Sequence, residues 1–424
     1  MKTLIKSGTV FYQDQLQKLD ILIDKNKITK ISSYINEEVD QTINAKGLTI
    51  LPGLIDVHTH LREPGFTHKE TIKTGTQAAA RGGFTTVCCM PNLHPIPDSI
   101  AHLNVLNKII KKDAIVEVLP YAAITINEAG KKIVDIPALA KEVFAFSDDG
   151  KGIQTPTLMK QAMTTAQEMK KVIVAHCEDT NLSKHGVVND SLYAKQHNLL
   201  PISNASEYQQ IERDIALAKE THAHYHICHI STKEGIALVR KAKRNKLPIS
   251  CEVTPHHLLL NDTMLKDNGA FKMAPPLRSK DDQQALITAL KDNTIDLIVT
   301  DHAPHSASEK NRGLKNSAFG IVGLETSFPL MYTHFVRTNQ ITLQRLIDLM
   351  CYKASHIFSL PNRSIRLGGV ANLAIFNLKQ KVKINAKNFY SKGKSTPFNG
   401  YECYGVTKYT IVNGKIIYEA SQHE

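Results

Sequence analysis

The sequence predicts an α/β protein with two parts, a (β/α)8 barrel of the TIM type and a small β-sandwich domain built from both chain termini. Three observations support this prediction. Short apolar runs alternate with helical segments along the middle of the chain, and polar residues stand repeatedly at the carboxyl end of those runs. Both ends of the chain show instead the period-two alternation of half-exposed strands.

Eight apolar runs, most of them rich in Val and Ile, predict the barrel strands. Segments with helical spacing lie between them, as in residues 69–82, 155–170 and 233–245. An open α/β sheet also carries helices on both faces, so the number of runs favours a closed barrel. In chain order the runs are LIDVHTH (54–60), TTVCCMPN (85–92), IVEVLPYAA (115–123), VFAFSDDG (143–150), KVIVAHCED (171–179), HYHICHIS (224–231), PISCEVTPHH (248–257) and IDLIVTDHAPH (295–305).

The two ends of the chain predict one small β-domain. Both contain alternating strands, with a turn at 24–27 near the first end and an Asn-Gly turn at 413–414 near the last. Neither end has enough strands to bury a sheet comfortably alone. We therefore expect residues 1–52 and 365–424 to form one β-domain, with the barrel, residues 53–364, inserted between them.

Composition argues against membrane and nucleic-acid binding. No apolar run approaches the roughly 18 to 20 residues that cross a bilayer, and the N-terminus lacks the apolar core of a signal peptide, so we expect a cytoplasmic protein. The formal net charge of +12 is the one feature that favours nucleic acid, but the lysines are scattered among acidic residues and aromatic residues are few. The seven cysteines include no C-x-x-C pair, which predicts reduced thiols.

Polar residues at the carboxyl ends of the predicted strands form a set of metal ligands. Barrel enzymes build their active sites at these strand ends. One zinc ion takes three or four protein ligands, so six ligands favour two divalent ions that share a bridging carboxylate and water. The set is His58, His60, Asp149, His176, His229 and Asp301. An isolated histidine is more often structural, and we assign no metal to the remaining histidines near these strands, which are His222, His224, His226, His256 and His257.

Nine motifs stand in order along almost the whole chain: DVHTHLREPG, AARGGFTTVCCMPN, SDDGKGIQT, VAHCED, CHIST, EVTPHHL, PPLR, TDHAPH and FGIVGLET. This ordered set resembles the bacterial monofunctional dihydroorotases of the amidohydrolase superfamily. The resemblance implies a barrel of the metal-dependent hydrolase kind. It also implies the reversible cyclisation of N-carbamoyl-L-aspartate to L-dihydroorotate and water, a step of de novo pyrimidine (UMP) biosynthesis.

The resemblance implies two zinc ions per chain, bridged by Asp149 and a hydroxide. The ligands that it assigns are His58, His60 and Asp301 for one ion, and His176 and His229 for the other. Similar hydantoinases use a carboxylated lysine as the bridge. Here the fourth run ends in FSDDG, and Lys151 lies beyond the turn. We therefore expect an aspartate bridge, and the family pattern favours Asp149 over Asp148.

The resemblance also implies a substrate site. Arg62, Asn92 and His305 would hold the substrate carboxylate, which suits the planar guanidinium of arginine. Related sequences read K-M-N-P-P-L-R where this chain reads KMAPPLR, so Ala274 cannot offer an amide and we expect weaker substrate binding. The full set of matching residues is His60, Arg62, Asn92, Ala274, His305, Phe319 and Gly320.

The resemblance assigns Asp301 as the general acid/base. In the hydrolytic direction the bridging hydroxide would attack the ring amide carbonyl, and Asp301 would carry its proton to the leaving nitrogen. The long polar segment 302–320 after the last strand is typical of a lid, with a plain connection as the alternative.

Two alternatives and two partners accompany this prediction. A cyclic amidase of the hydantoinase or allantoinase kind would act on a ring without the carboxylate. A metal-free scaffold bound to aspartate transcarbamoylase would usually lack metal histidines, whereas this chain keeps four. The resemblance makes a homodimer the expected assembly, and a complex with aspartate transcarbamoylase occurs in some relatives.

Overall fold

The computed structural model describes residues 1–421 and has the predicted barrel at its centre. One group of parallel strands comprises Leu54–Thr59, Phe84–Cys89 and Glu117–Pro120. A second parallel group comprises Ile173–Ala175, Tyr225–Ile227, Ile249–Val253 and Leu297–Ile298. These seven strands correspond to seven of the eight apolar runs.

Single bridges close the two gaps between these groups. Phe146, in the fourth predicted run, pairs with Ala122 on one side and with Ile173 on the other. His302 pairs with Thr59, so the last strand returns to the first. The sheet is therefore a closed barrel, and the strand ends that carry the predicted ligands face one mouth.

Amphipathic helices surround the barrel and begin where the sequence supplies N-caps. Thr71 and Thr74 form a capping box before the first helix, and the Thr232 hydroxyl accepts from the Gly235 amide. Within residues 1–421, no helix is long and apolar enough to cross a membrane. The α-helices are Ile72–Arg81, Ile100–Asp113, Ile136–Leu139, Pro156–Glu168, Thr180–Ser183, Leu192–Gln196, Ala205–Thr221, Lys233–Arg244, Pro255–Leu259, Lys280–Lys291, Ala307–Lys310, Gly313–Asn316, Ser327–Met331, Leu343–Ile347 and Lys353–Ile357. Two π-helical segments, Tyr332–Val336 and Asp348–Tyr352, continue helices of this set.

Both chain ends join in a second sheet, as predicted. Its strands are Lys2–Tyr12, Gln15–Asp24, Lys27–Ser32, Gln41–Asn44, Thr49–Pro52, Leu373–Lys383, Glu402–Val412 and Lys415–Glu419. The predicted turns fall between paired strands, at residues 25–26 and 413–414. Asn413 and Gly414 both have positive φ, which the Asn-Gly pair tolerates best.

This sheet folds over its own core as a sandwich. Ile28 and Ile411 belong to one buried apolar cluster. Four other strands lie between their two strands in the sheet order. The two turns also meet, because a Cβ added at Gly414 would lie 2.0 Å from the Lys25 carbonyl oxygen. Only glycine fits there.

The terminal domain packs on the barrel through aromatic side chains. The Phe376 ring stacks on Phe328 with centroids 3.9 Å apart, and the Thr410 hydroxyl donates to the Ala80 carbonyl oxygen at 2.6 Å. The division at residues 52/53 and 364/365 stays a prediction about which parts behave as separate domains.

Candidate metal centre and active site

The structure brings the six predicted ligands together at the barrel mouth. His58 and His60 belong to the first predicted run. The other four ligands each stand in a different later run, at or just after the strand end. All six are buried, His60 at 8% relative exposure being the most exposed. Burial of so many ionisable groups is costly unless they are paired or bind ions, so this cluster is the strongest candidate for a functional site.

The Asp149 carboxylate lies between the other ligands. Its Oδ1 lies 3.4 Å from His58 Nε2 and 4.0 Å from His229 Nε2, and its Oδ2 lies 3.4 Å from His60 Nε2. Asp148 points elsewhere, because its Oδ1 accepts from the amides of residues 124 and 125. The two neighbouring aspartates therefore differ in their contacts, and only Asp149 of the pair lies between the histidines of the cluster.

Asp301 lies beside the first-strand histidines. Its Oδ1 lies 3.1 Å from His60 Nε2 and 3.5 Å from His58 Nε2. Burial by itself raises the pKa of Asp301, but the contact with His60 and the charge of His58 outweigh it and hold that pKa below its ordinary value. Asp301 is therefore a carboxylate that can accept a proton.

His176 and His229 form the other half of the cluster. His176 Nδ1 lies 3.0 Å from His229 Nε2. Burial, followed by the charges of His176 and His58, lowers the pKa of His229 well below its ordinary value. His229 is therefore neutral and can offer a ring nitrogen lone pair.

The donor set fits metal ions. Asp149 is shared by two groups of converging ligand atoms, one with His58 and His60 and the other with His176 and His229. His58 Nε2 and Asp149 Oδ1 are buried and have no hydrogen-bond partner among the described residues. The 3.0 Å between His176 Nδ1 and His229 Nε2 is close to the roughly 3.3 Å between two nitrogens on one tetrahedral zinc ion. A cation at each group would satisfy these atoms.

Two glutamates that the sequence analysis did not assign orient the histidines. Glu252 Oε1 lies 2.6 Å from His58 Nδ1, and Glu178 Oε2 lies 3.0 Å from His176 Nε2. Each carboxylate accepts from the ring nitrogen that faces away from the cluster, so the other nitrogen keeps its lone pair for a metal. His226, to which we assigned no metal, contacts Glu252 Oε2 at 3.0 Å.

A cavity of about 550 Å³ opens on this cluster. Its wall includes six of the seven predicted substrate residues: His60, Arg62, Asn92, Ala274, Phe319 and Gly320. The Asn92 amide is anchored by donating to the Asp149 carbonyl oxygen at 2.5 Å. The seventh residue, His305, lies behind the wall, with its Nε2 3.4 Å from Arg62 Nη2.

The segment 302–320 is partly helical and is docked onto residues 267–272. The buried Lys310 ammonium donates to the carbonyl oxygens of Lys272 and Ala318 at 3.1 and 2.7 Å. Burial, followed by the charge of Lys272, lowers the pKa of Lys310 to about 7. The Lys272 ammonium lies 4.5 Å from the Phe319 ring centroid, so these contacts fix the cavity wall at Phe319.

A TIM barrel with histidines and aspartates converging at its mouth, joined to a β-sandwich from the termini, defines a metal-dependent amidohydrolase. Solved structures with this fold include an L-hydantoinase from Arthrobacter aurescens, with a TM-score of 0.88 and 24% identity over 99% of this chain and 96% of that one. The model of the family described as dihydro-orotase-like matches residues 47–235. A dihydroorotase from Macrococcus caseolyticus is 47% identical over the full length of both chains. One from Staphylococcus aureus is 48% identical over 99% of this chain and all of its own. The chain belongs to the dihydroorotase family.

Proposed function

We propose that this chain catalyses the reversible cyclisation of N-carbamoyl-L-aspartate to L-dihydroorotate and water. The observation that carries the proposal is that Arg62 and Asn92 line the same cavity as His60, Asp149 and Asp301 of the ligand cluster. The cavity thus pairs an anion receptor with a metal-binding wall. Dihydroorotate needs both, since it carries a carboxylate beside the amide that is formed or cleaved.

We further propose that the cluster holds two zinc ions. Asp149 would contact both, His58, His60 and Asp301 would bind one, and His176 and His229 would bind the other. When bound, the ions would polarise the amide carbonyl and lower the pKa of an attacking water. The shared position of Asp149 supports two ions rather than one.

Asp301 would move the proton in this reaction. Its carboxylate lies at the cavity wall and stays ionised, because His60 and His58 oppose the effect of burial on its pKa. In hydrolysis it would accept a proton from the attacking water and deliver it to the ring nitrogen that leaves. In cyclisation the same carboxyl group would act in the reverse order.

Arg62, Asn92 and His305 would hold the substrate carboxylate, while Phe319 and Gly320 would contact the ring through their backbone. Arg62 is half-buried in the wall, where a charge-assisted hydrogen bond to a carboxylate is stronger than a neutral one. Ala274 lines the cavity without a polar side chain. We expect a backbone group or water to serve the ring at that point.

The experiment that tests the function compares four cyclic amides with purified, zinc-loaded protein. We expect hydrolysis of dihydroorotate to exceed that of dihydrouracil, hydantoin and allantoin by orders of magnitude. Preference for a ring without the carboxylate would overturn the proposal and favour the hydantoinase or allantoinase alternative. A protein that retains no zinc and turns over none of the four would favour the metal-free scaffold alternative.

We also propose a cytoplasmic location and a homodimer, with aspartate transcarbamoylase as a second protein partner. All seven cysteines are buried free thiols, which suits a reducing compartment. Sedimentation of the protein alone and mixed with aspartate transcarbamoylase tests both assemblies.

A further inference from the structure

The imidazole of His305 lies between two cationic side chains. Arg62 Nη2 is 3.4 Å from its Nε2, and the Lys69 ammonium is 3.4 Å from its Nδ1. The ring edge that carries Nε2 reaches the cavity wall, because a Cβ added at Gly320 would lie 3.2 Å from His305 Cδ2. Lys69 itself does not line the cavity.

Both cations donate hydrogen bonds, yet a neutral imidazole accepts at one nitrogen and donates at the other. His305 is neutral, since burial, followed by the charges of Arg62 and Lys69, lowers its pKa to about 3. One of the two contacts is therefore a true hydrogen bond, and at the other an N–H faces a cation. An anion placed beside Arg62 would accept a hydrogen bond from the imidazole N–H on that side.

We propose that Lys69 is a positioning residue for substrate binding. It donates to Nδ1 of His305 and so places the ring proton on Nε2, where it points at the substrate carboxylate held by Arg62. This inference rests on the proposed function, because it requires a substrate with that carboxylate. Lys69 does not touch the substrate, and it acts through the tautomer of His305.

The surroundings of Lys69 hold its ammonium in this place. Glu309 Oε1 pairs with Lys69 Nζ at 2.8 Å, and the ammonium lies 5.4 Å from the Phe66 ring centroid. The Lys69 side chain is 17% exposed. Glu309 in turn caps the short helix Ala307–Lys310 through Ser306.

Glu309 could instead stabilise the tautomer of His305 that carries its proton on Nδ1. Its Oε1 lies 3.7 Å from His305 Nδ1, beyond normal hydrogen-bond distance. With the proton on Nδ1, Nε2 of His305 would accept a hydrogen bond from Arg62. Neither His305 Nε2 nor that Arg62 N–H would then donate to the substrate carboxylate. Lys69 approaches Nδ1 to 3.4 Å, closer than Glu309 does. A substrate carboxylate beside Arg62 would add an acceptor for Nε2–H, so the complex favours this tautomer.

The kinetic test replaces Lys69 by Met and measures turnover of dihydroorotate. Dihydroorotate carboxamide, which lacks the charged carboxylate, is measured in parallel as a substrate or as a competitive inhibitor. We expect KM for dihydroorotate to rise about tenfold or more, as for a lost hydrogen bond to a charged group, with kcat nearly unchanged. Binding of the carboxamide should change far less. Lys69→Arg should restore most of the affinity, and Lys73→Met, at an exposed position of the next helix, should match wild type.

The spectroscopic test identifies the tautomer directly. Two-bond 15N–1H spectra of imidazole-labelled protein with bound dihydroorotate, assigned by loss of the signal in His305→Gln, should show a protonated Nε2. Lys69→Met should shift His305 toward the other tautomer. A protonated Nδ1 in wild type, or equal effects of Lys69→Met on both ligands, would overturn the inference. A wild-type protein that neither binds nor converts dihydroorotate would instead contradict the proposed function.

Discussion

At the scale of single residues, the charges proposed to hold ions stand apart from the charge proposed to hold the substrate. Asp149 and Asp301 lie beside the histidines, whereas the Arg62 guanidinium contacts His305. Asp148, next to Asp149, stabilises the loop at 124–125 instead. Adjacent residues thus have unrelated tasks, which the geometry distinguishes.

Asp301→Asn tests the proton transfer. The amide cannot accept a proton but keeps an oxygen near His58 and His60, so we expect turnover to disappear while metal content stays largely intact. Metal analysis and the dihydroorotate assay on the same sample measure both. Asp190→Asn, at an exposed aspartate, is the matched control. Near-normal turnover in folded Asp301→Asn would refute the assignment.

Ala274→Asn tests the departure from the family pattern. Restoring one neutral hydrogen bond to the substrate should strengthen binding by about 0.5–1.5 kcal/mol, roughly two- to tenfold. Steady-state kinetics with dihydroorotate measure the change, which we expect mainly in KM. An unchanged or higher KM would show that another group already serves the ring at this point.

Glu252→Gln tests the orientation of His58. The amide presents a weaker acceptor to His58 Nδ1 than the carboxylate does, and partners of this kind typically contribute 10- to 100-fold to metal affinity. We expect zinc affinity, measured by competition with a chelator, to fall by about that factor. Glu142→Gln, at an exposed position, should leave the affinity unchanged. Equal affinity in Glu252→Gln would contradict the orienting role.

The sequence predicted which residues gather at the site better than it predicted how they are supported. Histidines at strand ends carry a visible signal. Glu252 instead stands inside the apolar run ISCEV, and its complete burial depends on the tertiary fold. A glutamate inside an otherwise apolar strand is itself a signal, because a buried carboxylate requires a partner. Glu178, two residues after His176, could have been found by that spacing.

At the scale of elements, the predicted strands and helices were mostly confirmed, but strand lengths were overestimated. The fourth run, 143–150, pairs through Phe146 alone, and the eighth contributes Leu297–Ile298 and the bridge at His302. Asp148 accounts for the end of the pairing at Phe146, since its side chain, and not its backbone, accepts from the amides of residues 124 and 125. Side-chain competition for backbone groups is a tertiary effect that an apolar pattern does not reveal.

The segment 302–320 should respond to ligand. Its cavity wall, Phe319 and Gly320, is attached to residues 306–318, which the Lys310 and Lys272 contacts dock onto the barrel. We expect hydrogen exchange across 306–318 to slow when dihydroorotate binds, with the helix Lys233–Arg244 as an internal reference. Unchanged exchange would favour a plain connection over a lid.

At the scale of the whole molecule, the terminal sandwich and the barrel are joined near the active site. Ser391, in the C-terminal part, donates through its amide to Glu325 at 3.2 Å and through its hydroxyl to Glu70 at 2.5 Å. Glu70 also lies 3.4 Å from His302, which directly follows Asp301. The alternation at both chain ends predicted the sandwich, whereas this junction depends on contacts between residues 66 to 321 positions apart.

The most direct test of the account is anomalous diffraction at the zinc edge from crystals of the zinc-loaded protein. We expect two peaks at the barrel mouth, with Asp149 contacting both ions, His58, His60 and Asp301 at one, and His176 and His229 at the other. A single peak, or two peaks of which Asp149 contacts at most one, would contradict the shared metal centre on which the proposed chemistry depends.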